Sequence, residues 1–399
     1  MSAQIPSTCD VLIIGAGPAG TTAARALARA GVDVVLADRA VFPRDKICGD
    51  GLIGDALGAL DALDIRARVL SEAILSDELR LYSPNGESAI VRGQLACIPR
   101  ERLDAMMLDA AIEAGVRFFP SMSAAGPVTD RDGVAGARFH SSGTTSDIRA
   151  RVTMLATGAN ATALDAFGLP VPMKPTGAAG RVYFDAPPDV ARRFAHLTIA
   201  YQEPWCPGYG WIFPGPANRL NVGVGLFGSH ASGLRTFWDS FQRHFPPAAE
   251  IVRTSRQLTE FRGAPMRTGL TGAQFGRPGL LVLGEAAAMT YPGTGEGIGK
   301  AMESGLIAAD FVAQALSGRL PLATVHTIYG TEFRRRFQRR YRAYQVAQSC
   351  ARRPWLVNFL ARRANAGRFV REQLEGLIDE QGDARDLFSF RGLLMSLVR

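Results

Sequence analysis

The chain opens on an apolar run, Val11-Leu-Ile-Ile14, followed by Gly15-Ala-Gly-Pro-Ala-Gly20 and an alanine-rich stretch from Thr21 to Ala30. Unbroken apolar residues suit a strand covered on both faces, and alanine is the strongest helix former, so the order predicts strand, glycine turn and helix. Gly31 ends the helix and Val32 to Ala37 is a second apolar strand, completing a βαβ unit. Arg102 to Gly115 has helical periodicity, and Val152 to Ala156 is another buried strand. From Arg181 to Val224 the chain is rich in β-formers broken by Pro and Gly, which predicts a mostly antiparallel sheet. A strand over Gly279 to Leu283 then leads through a glycine-rich loop into a helix from Gly297 to Leu316, and the remainder to Arg399 reads as helical.

The glycines carry the first chemistry. Gly15, Gly17 and Gly20 form G-x-G-x-x-G between a strand and a helix: the first permits a tight turn, the second lets backbone approach a pyrophosphate, and the third lets helix pack on strand. The helix N-terminus, with free N–H groups and a favourable dipole, is where the pyrophosphate belongs. Asp38, at the end of the second strand, stands where a carboxylate accepts hydrogen bonds from a ribose. This triplet alone does not separate NAD from FAD. The second constellation, Leu281 to Gly305, does: a strand ends in Gly284-Glu285, a glycine loop follows, and a helix begins near Gly297. A carboxylate there binds the hydroxyls of a ribityl chain, and helix-terminal N–H groups stabilise negative charge on a reduced isoalloxazine.

Because these two segments are far apart in the chain, the cofactor unit is discontinuous. The expected architecture is α/β, a Rossmann-type FAD-binding domain (1–75, 97–170 and 262–320) with an inserted antiparallel-sheet substrate domain (76–96 and 171–261) and a helical C-terminal region (321–399).

At these motifs the sequence resembles the geranylgeranyl reductase family of FAD-dependent oxidoreductases, whose fold is shared with aromatic hydroxylases and flavin halogenases. The similarity spans residues 8 to about 318. It is carried by the glycine triplet with Asp38, Phe42-Pro-Arg-Asp-Lys-Ile-Cys-Gly-Asp-Gly51, Arg100 in Arg-Glu-Arg-Leu-Asp104, Tyr209-Gly-Trp-Ile-Phe-Pro214, Asn221-Val-Gly-Val-Gly225, and Gly284 to Gly305. The resemblance implies non-covalent FAD, held by Gly15, Gly17, Ala19, Gly20, Asp38, Arg39, Lys46, Cys48, Gly49, Arg100, Thr157, Gly158, Gly284, Glu285, Gly295, Gly297 and Ile298. It also implies a cavity walled by Tyr209, Trp211, Phe213 and Pro292, where an apolar prenyl or polyketide-like chain lies, and Cys48 as a candidate proton donor.

Two positions depart from the family. Glu285 replaces the usual Asp and keeps the carboxylate. Ala156-Thr-Gly stands where relatives read Ala-Asp-Gly, a segment that helps place the nicotinamide donor, so NADPH or another electron donor is left open. The implied reaction is reduction of a carbon–carbon double bond by hydride from reduced flavin. The alternatives are a monooxygenase acting through a flavin peroxide and a flavin-holding protein without turnover; halogenation ranks lower, since no lysine lies between Lys46 and Lys174.

Composition bounds the rest. The 399 residues, 47% hydrophobic, can bury a large core, and no run reaches the roughly 20 apolar residues of a membrane span, which together with the absence of a signal-type start predicts a cytoplasmic protein. Five scattered cysteines suggest reduced thiols and no metal site. The net charge of +8 is carried almost wholly by arginine. Twelve arginines between Phe333 and Arg371, with no acidic residue among them, suit an anionic membrane surface, an acidic carrier or a diphosphate-bearing substrate, while a nucleic-acid reading module is lacking.

Overall fold

The computed structural model describes residues 4–141, 143–170, 175–228, 233–389, 392 and 395–396; the 1–3, 171–174 and 397–399 ends of the expected ranges lie outside the described residues. Two sheets organise it. The first has the central order Leu280–Val282, Thr144–Leu155, Thr8–Ile14, Val34–Ala37 and Arg117–Phe119, all parallel, with Val11 paired to both Val34 and Val152. Residues 11–14 and the strands Val34–Ala37 and Leu280–Val282 are buried on both faces, as their unbroken apolar runs require. Ser123–Asp130 and Gly133–Ser141 add an antiparallel branch, a hairpin that the sequence reading did not resolve.

The second sheet has nine strands, and the central run Gly177–Asp185, Arg219–Phe227, Tyr209–Pro214 and Leu197–Tyr201 is antiparallel. Leu197–Tyr201 then pairs in parallel with Ile74–Tyr82, so one junction departs from the antiparallel expectation. Arg262–Met266, grouped above with the cofactor segments, instead pairs with Gly177–Asp185 as part of this sheet. The dipeptide strand Gly51–Leu52 at the far edge also belongs to it, pairing with Ala96 and Cys97. Short apolar stretches carry no signal of which sheet they join; long-range packing decides it.

Helix Pro18–Arg29 packs against helix Ile298–Leu316, and this contact brings the two glycine segments together. The approach is too close for side chains. A methyl at Gly20 would overlap the Gly15 carbonyl oxygen, one at Gly305 would press on the Ala19 carbonyl at 2.6 Å, and one at Gly284 would meet the Ala19 side chain at 3.1 Å. The largest core cluster runs from these strands and helices into the C-terminal helix Val325–Ala351 through Tyr329, Phe333 and Tyr341. The Tyr329 and Tyr341 hydroxyls donate to the carbonyls of Val282 and Met289, at 3.1 and 2.6 Å. No helix among the described residues is long and apolar enough to cross a membrane.

Gly20→Ala is therefore expected to destabilise the apoprotein by about 1–3 kcal/mol through overpacking, read as a lower urea midpoint at unchanged slope.

Candidate active site

The parallel strands end where the motifs begin: Ile14 at Gly15, Leu155 at Ala156-Thr157, and Val282 two residues before Gly284-Glu285. Ligands of such sheets bind beyond these carboxyl ends. Gly15 turns the chain at φ +107°, a conformation that disfavours a side chain. Helix Pro18–Arg29 starts at Gly17 with no side-chain cap, leaving the N–H groups of its first turn without helical partners. Unlike its two companions, Gly17 faces open space, since a methyl there meets only Arg44 Nη2, at 3.6 Å.

Arg44 is a site residue that the sequence reading missed. Its guanidinium sits over the Phe42 ring at 4.7 Å and reaches Asp104 Oδ2 at 3.1 Å, while Nη1 is buried without a partner beside the glycine turn. Its place within Phe-Pro-Arg was the available signal. Asp38, read as the ribose ligand, also braces the turn: Oδ2 accepts the Ala16 N–H at 2.7 Å and Oδ1 accepts Ala40 N–H at 2.8 Å. Arg39 next to it is exposed, and Lys46 is half-buried farther along the same loop.

Thr157-Gly158 and Glu285 converge. A methyl at Gly158 would lie 3.7 Å from Glu285 Oε2, Glu285 Oε1 accepts the Arg267 N–H at 3.3 Å, and the Thr157 hydroxyl and Arg267 Nη1 are buried without partners. An uncapped helix end, an open glycine and orphaned buried donors at the carboxyl edge of a parallel sheet fit the phosphates and polyol of FAD.

Arg100 is differently engaged than expected. Nε and Nη2 grip Asp104 at 2.7 and 2.8 Å, and the buried guanidinium also lies against the Cys48 sulfur. Cys48 itself is half-buried; burial pushes its thiol pKa up, opposed by the Arg100 charge. Asp50, in the left-handed region at φ +69°, ties this loop to the second sheet. It accepts hydrogen bonds from the Arg100 N–H at 3.2 Å, from Asn221 Nδ2 at 2.8 Å and from the Tyr183 hydroxyl. Asn221 Nδ2 also donates to the Cys48 carbonyl at 2.9 Å, and Asn221 Oδ1 accepts the Trp211 indole N–H at 2.9 Å. Burial raises the Asp50 carboxyl to about 6, against the pull of these donors. Arg181, wholly buried, stacks on Tyr183 at 3.8 Å and pairs with Asp45. None of Asp50, Tyr183, Arg181 and Asn221 was given a role from the sequence, because the pairs Asp45–Arg181, Asp50–Tyr183 and Asp50–Asn221 each span more than a hundred residues.

The aromatic trio lies against both cofactor-side loops. Phe213 comes within 3.1 Å of the position a methyl would take on Gly49, and Trp211 within 3.6 Å. The Tyr209 hydroxyl donates to the Thr294 carbonyl in the glycine loop and lies 3.4 Å from the corresponding position on Gly295, which has φ +72°. Pro292 is buried, 3.7 Å from the methyl position on Gly269, and Gly297 caps the helix that starts at Ile298. The structure thus gathers Cys48, Gly49, Tyr209, Trp211, Phe213 and Gly295 along one wall.

This fold and this site define an FAD-dependent oxidoreductase. Residues 8–342 match the family model described as FAD binding domain. Digeranylgeranylglycerophospholipid reductase of Methanosarcina acetivorans is 28% identical over 82% of this chain and 80% of its own, and menaquinone reductase of Mycolicibacterium smegmatis is 31% identical over 76% of both. The crystal structure of a geranylgeranyl bacteriochlorophyll reductase-like protein from Thermoplasma acidophilum superposes with a TM-score of 0.79 at 22% identity, covering 98% of this chain and 96% of that one. The chain belongs to the geranylgeranyl reductase family of FAD-dependent oxidoreductases.

Gly17→Ala, whose backbone angles suit alanine, is expected to leave apoprotein stability unchanged while weakening FAD binding roughly 10- to 100-fold, the equivalent of about 1–3 kcal/mol of steric cost. Flavin fluorescence titration of the apoprotein, set beside its urea midpoint, separates the two effects.

Proposed function

We propose that this enzyme reduces carbon–carbon double bonds in a long apolar prenyl chain, with FAD bound by the glycine turn, Arg44, Asp38, Thr157 and Glu285. The observation that carries the reading is an apolar cavity of about 100 Å³ between the second sheet and the C-terminal helices, lined by Leu81, Ala89, Leu356, Leu360, Leu374 and Tyr201 among others. Tyr201 meets Tyr209 edge-on at 6.0 Å, so the cavity abuts the aromatic wall of the cofactor site. The apolar lining suits an isoprene segment of such a chain, and the relatives named above act, by their names, on digeranylgeranylglycerophospholipid and menaquinone.

Reduced FAD supplies hydride when bound. The protein's part is to exclude water and hold the alkene: Trp211 is fixed through Asn221 to Asp50, Tyr209 through Thr294, and Phe213 through contact with Gly49 and Gly51. Cys48 is proposed as a wall group near the reacting carbons, with Arg100 kept in place by Asp104.

The basic region supports a docking role for one part of it. Arg335 and Arg336 pair with Glu332, just before the acid-free run, and Arg334 stacks on Phe275 at 4.6 Å. Arg352 and Arg353 are exposed, beside Trp355 at 65% exposure, where the helices Val325–Ala351 and Pro354–Ala366 meet next to the apolar cavity. A tryptophan between cations suits an anionic lipid surface from which a prenyl lipid enters.

Two measurements test this. In anaerobic stopped flow, dithionite-reduced enzyme is expected to be reoxidised by digeranylgeranylglycerophospholipid in micelles; reoxidation only by oxygen, with oxygen entering the product, would overturn the reading. Replacing Arg352 and Arg353 with glutamate is expected to abolish co-sedimentation with anionic vesicles while turnover of micellar substrate is kept; unchanged sedimentation would remove the docking role.

A further inference from the structure

We infer that Glu296 is the acid that delivers the proton to the substrate during double-bond reduction; this rests on the reductase reading and names the proton source for that same site. Glu296 lies in the glycine loop between Gly295 and Gly297, immediately before helix Ile298–Leu316, and its carbonyl accepts the Tyr291 N–H at 2.8 Å. The side chain is not used to hold the loop: Oε2 is buried with no hydrogen-bond partner. Glu87 Oε2 and Glu380 Oε1 are also buried without a partner, but both belong to carboxylates already held by arginine, whereas the Glu296 orphan stands in the cofactor loop, where an unpartnered oxygen is open to another molecule. Tyr209, whose hydroxyl holds the same loop, and Tyr201, which lines the apolar cavity, both lie within electrostatic range of Glu296.

Burial keeps the proton on, and the charged groups around it act in both directions. Asp55, from helix Gly54–Ala62, repels a carboxylate at Glu296; Lys300 and Arg340 attract it, and Tyr344 faces it from the same helix as Arg340. Lys300 is already shared: it is 3.2 Å from Asp55, 3.3 Å from Glu380, paired with Glu303, and set over the rings of Tyr291 and Phe337. Arg340 is bound to Glu380. Burial together with Asp55 therefore wins, and the Glu296 carboxyl is pushed up to about 8. Efficient general acids have a pKa near the working pH, a match that Glu296 makes and the Cys48 thiol, raised from an already higher starting value, does not.

The step balances. One alkene carbon takes the hydride that reduced FAD supplies, the Glu296 O–H bond breaks, and its proton forms the C–H bond at the neighbouring carbon. The substrate gains two hydrogens, FAD is left oxidised, and water reprotonates the Glu296 carboxylate.

The test compares wild type, Glu296→Gln and Glu296→Asp, all loaded with FAD, using digeranylgeranylglycerophospholipid in micelles as the probe. Glu296→Gln is expected to keep FAD and its reduction by dithionite, while anaerobic reoxidation by the alkene slows roughly 100- to 10,000-fold; Glu296→Asp keeps part of the rate. In wild type that rate is full below pH 8 and falls above it, and the infrared difference spectrum between wild type and Glu296→Gln shows a neutral carboxyl band at pH 7 that disappears as the pH passes about 8. Wild-type reoxidation rate and pH profile in Glu296→Gln, no neutral carboxyl band at pH 7, or loss of FAD by both variants would overturn the assignment. Wild-type enzyme that the alkene probe does not reoxidise would instead sink the reductase reading, whatever the infrared band shows.

Discussion

The structure depends on one steric condition: the turn after the first strand must lie against Ala156, and Gly284 and helix Ile298–Leu316 against Ala19, with no side chain at the glycines between them. Gly15, Gly20, Gly284 and Gly305 meet that condition together, since each is packed so closely that a methyl would strike a neighbour. Helix Pro18–Arg29 can then lie on helix Ile298–Leu316, and segments more than 260 residues apart form two sides of one cofactor cleft. Gly17 differs in kind. It spends its missing side chain on the ligand's side of the turn, where the backbone must be approachable.

A second layer of constraint joins this frame to the antiparallel sheet. Asp50 is the hub, receiving donors from the Arg100 N–H, from Tyr183 and from Asn221, which in turn fixes Trp211 and the Cys48 carbonyl. A buried carboxyl surrounded only by donors rigidifies what it touches, and here it sets the distance between the aromatic wall and the loop carrying Cys48. Chemistry and architecture meet in the same few side chains.

Much of the frame was legible in the chain. The βαβ opening, the strand–loop–helix near Gly284 and the discontinuous order of the cofactor motifs follow from apolar runs and glycine spacing, which are local signals. The hub was not legible. Arg181 sits in the middle of a strand and is wholly buried; Tyr183, two residues on, shares its face, but nothing nearby announces that Asp45 pairs with it. Arg100 was assigned to FAD through the family resemblance, whereas Asp104, one helical turn on, takes up two of its nitrogens. Arg44 escaped for the opposite reason: its motif was noticed, but the chemistry was credited to its neighbours. Glu296 stood in plain view within a glycine loop, and only its burial beside Asp55 sets it apart from a solvated loop acid.

The C-terminal helix has a consequence for how the protein comes into being. Tyr329, Tyr341 and Gln345 close over Val282, Met289 and Gly269, the backbone that carries the glycine loop. During synthesis the nucleotide-binding turn leaves the ribosome first, but the groups that brace the far side of the cleft come some three hundred residues later. At translation rates of about 5–20 residues per second, the nascent chain spends tens of seconds with half a cofactor site. The far side of the cleft is thereby completed only when the last quarter of the chain has been made.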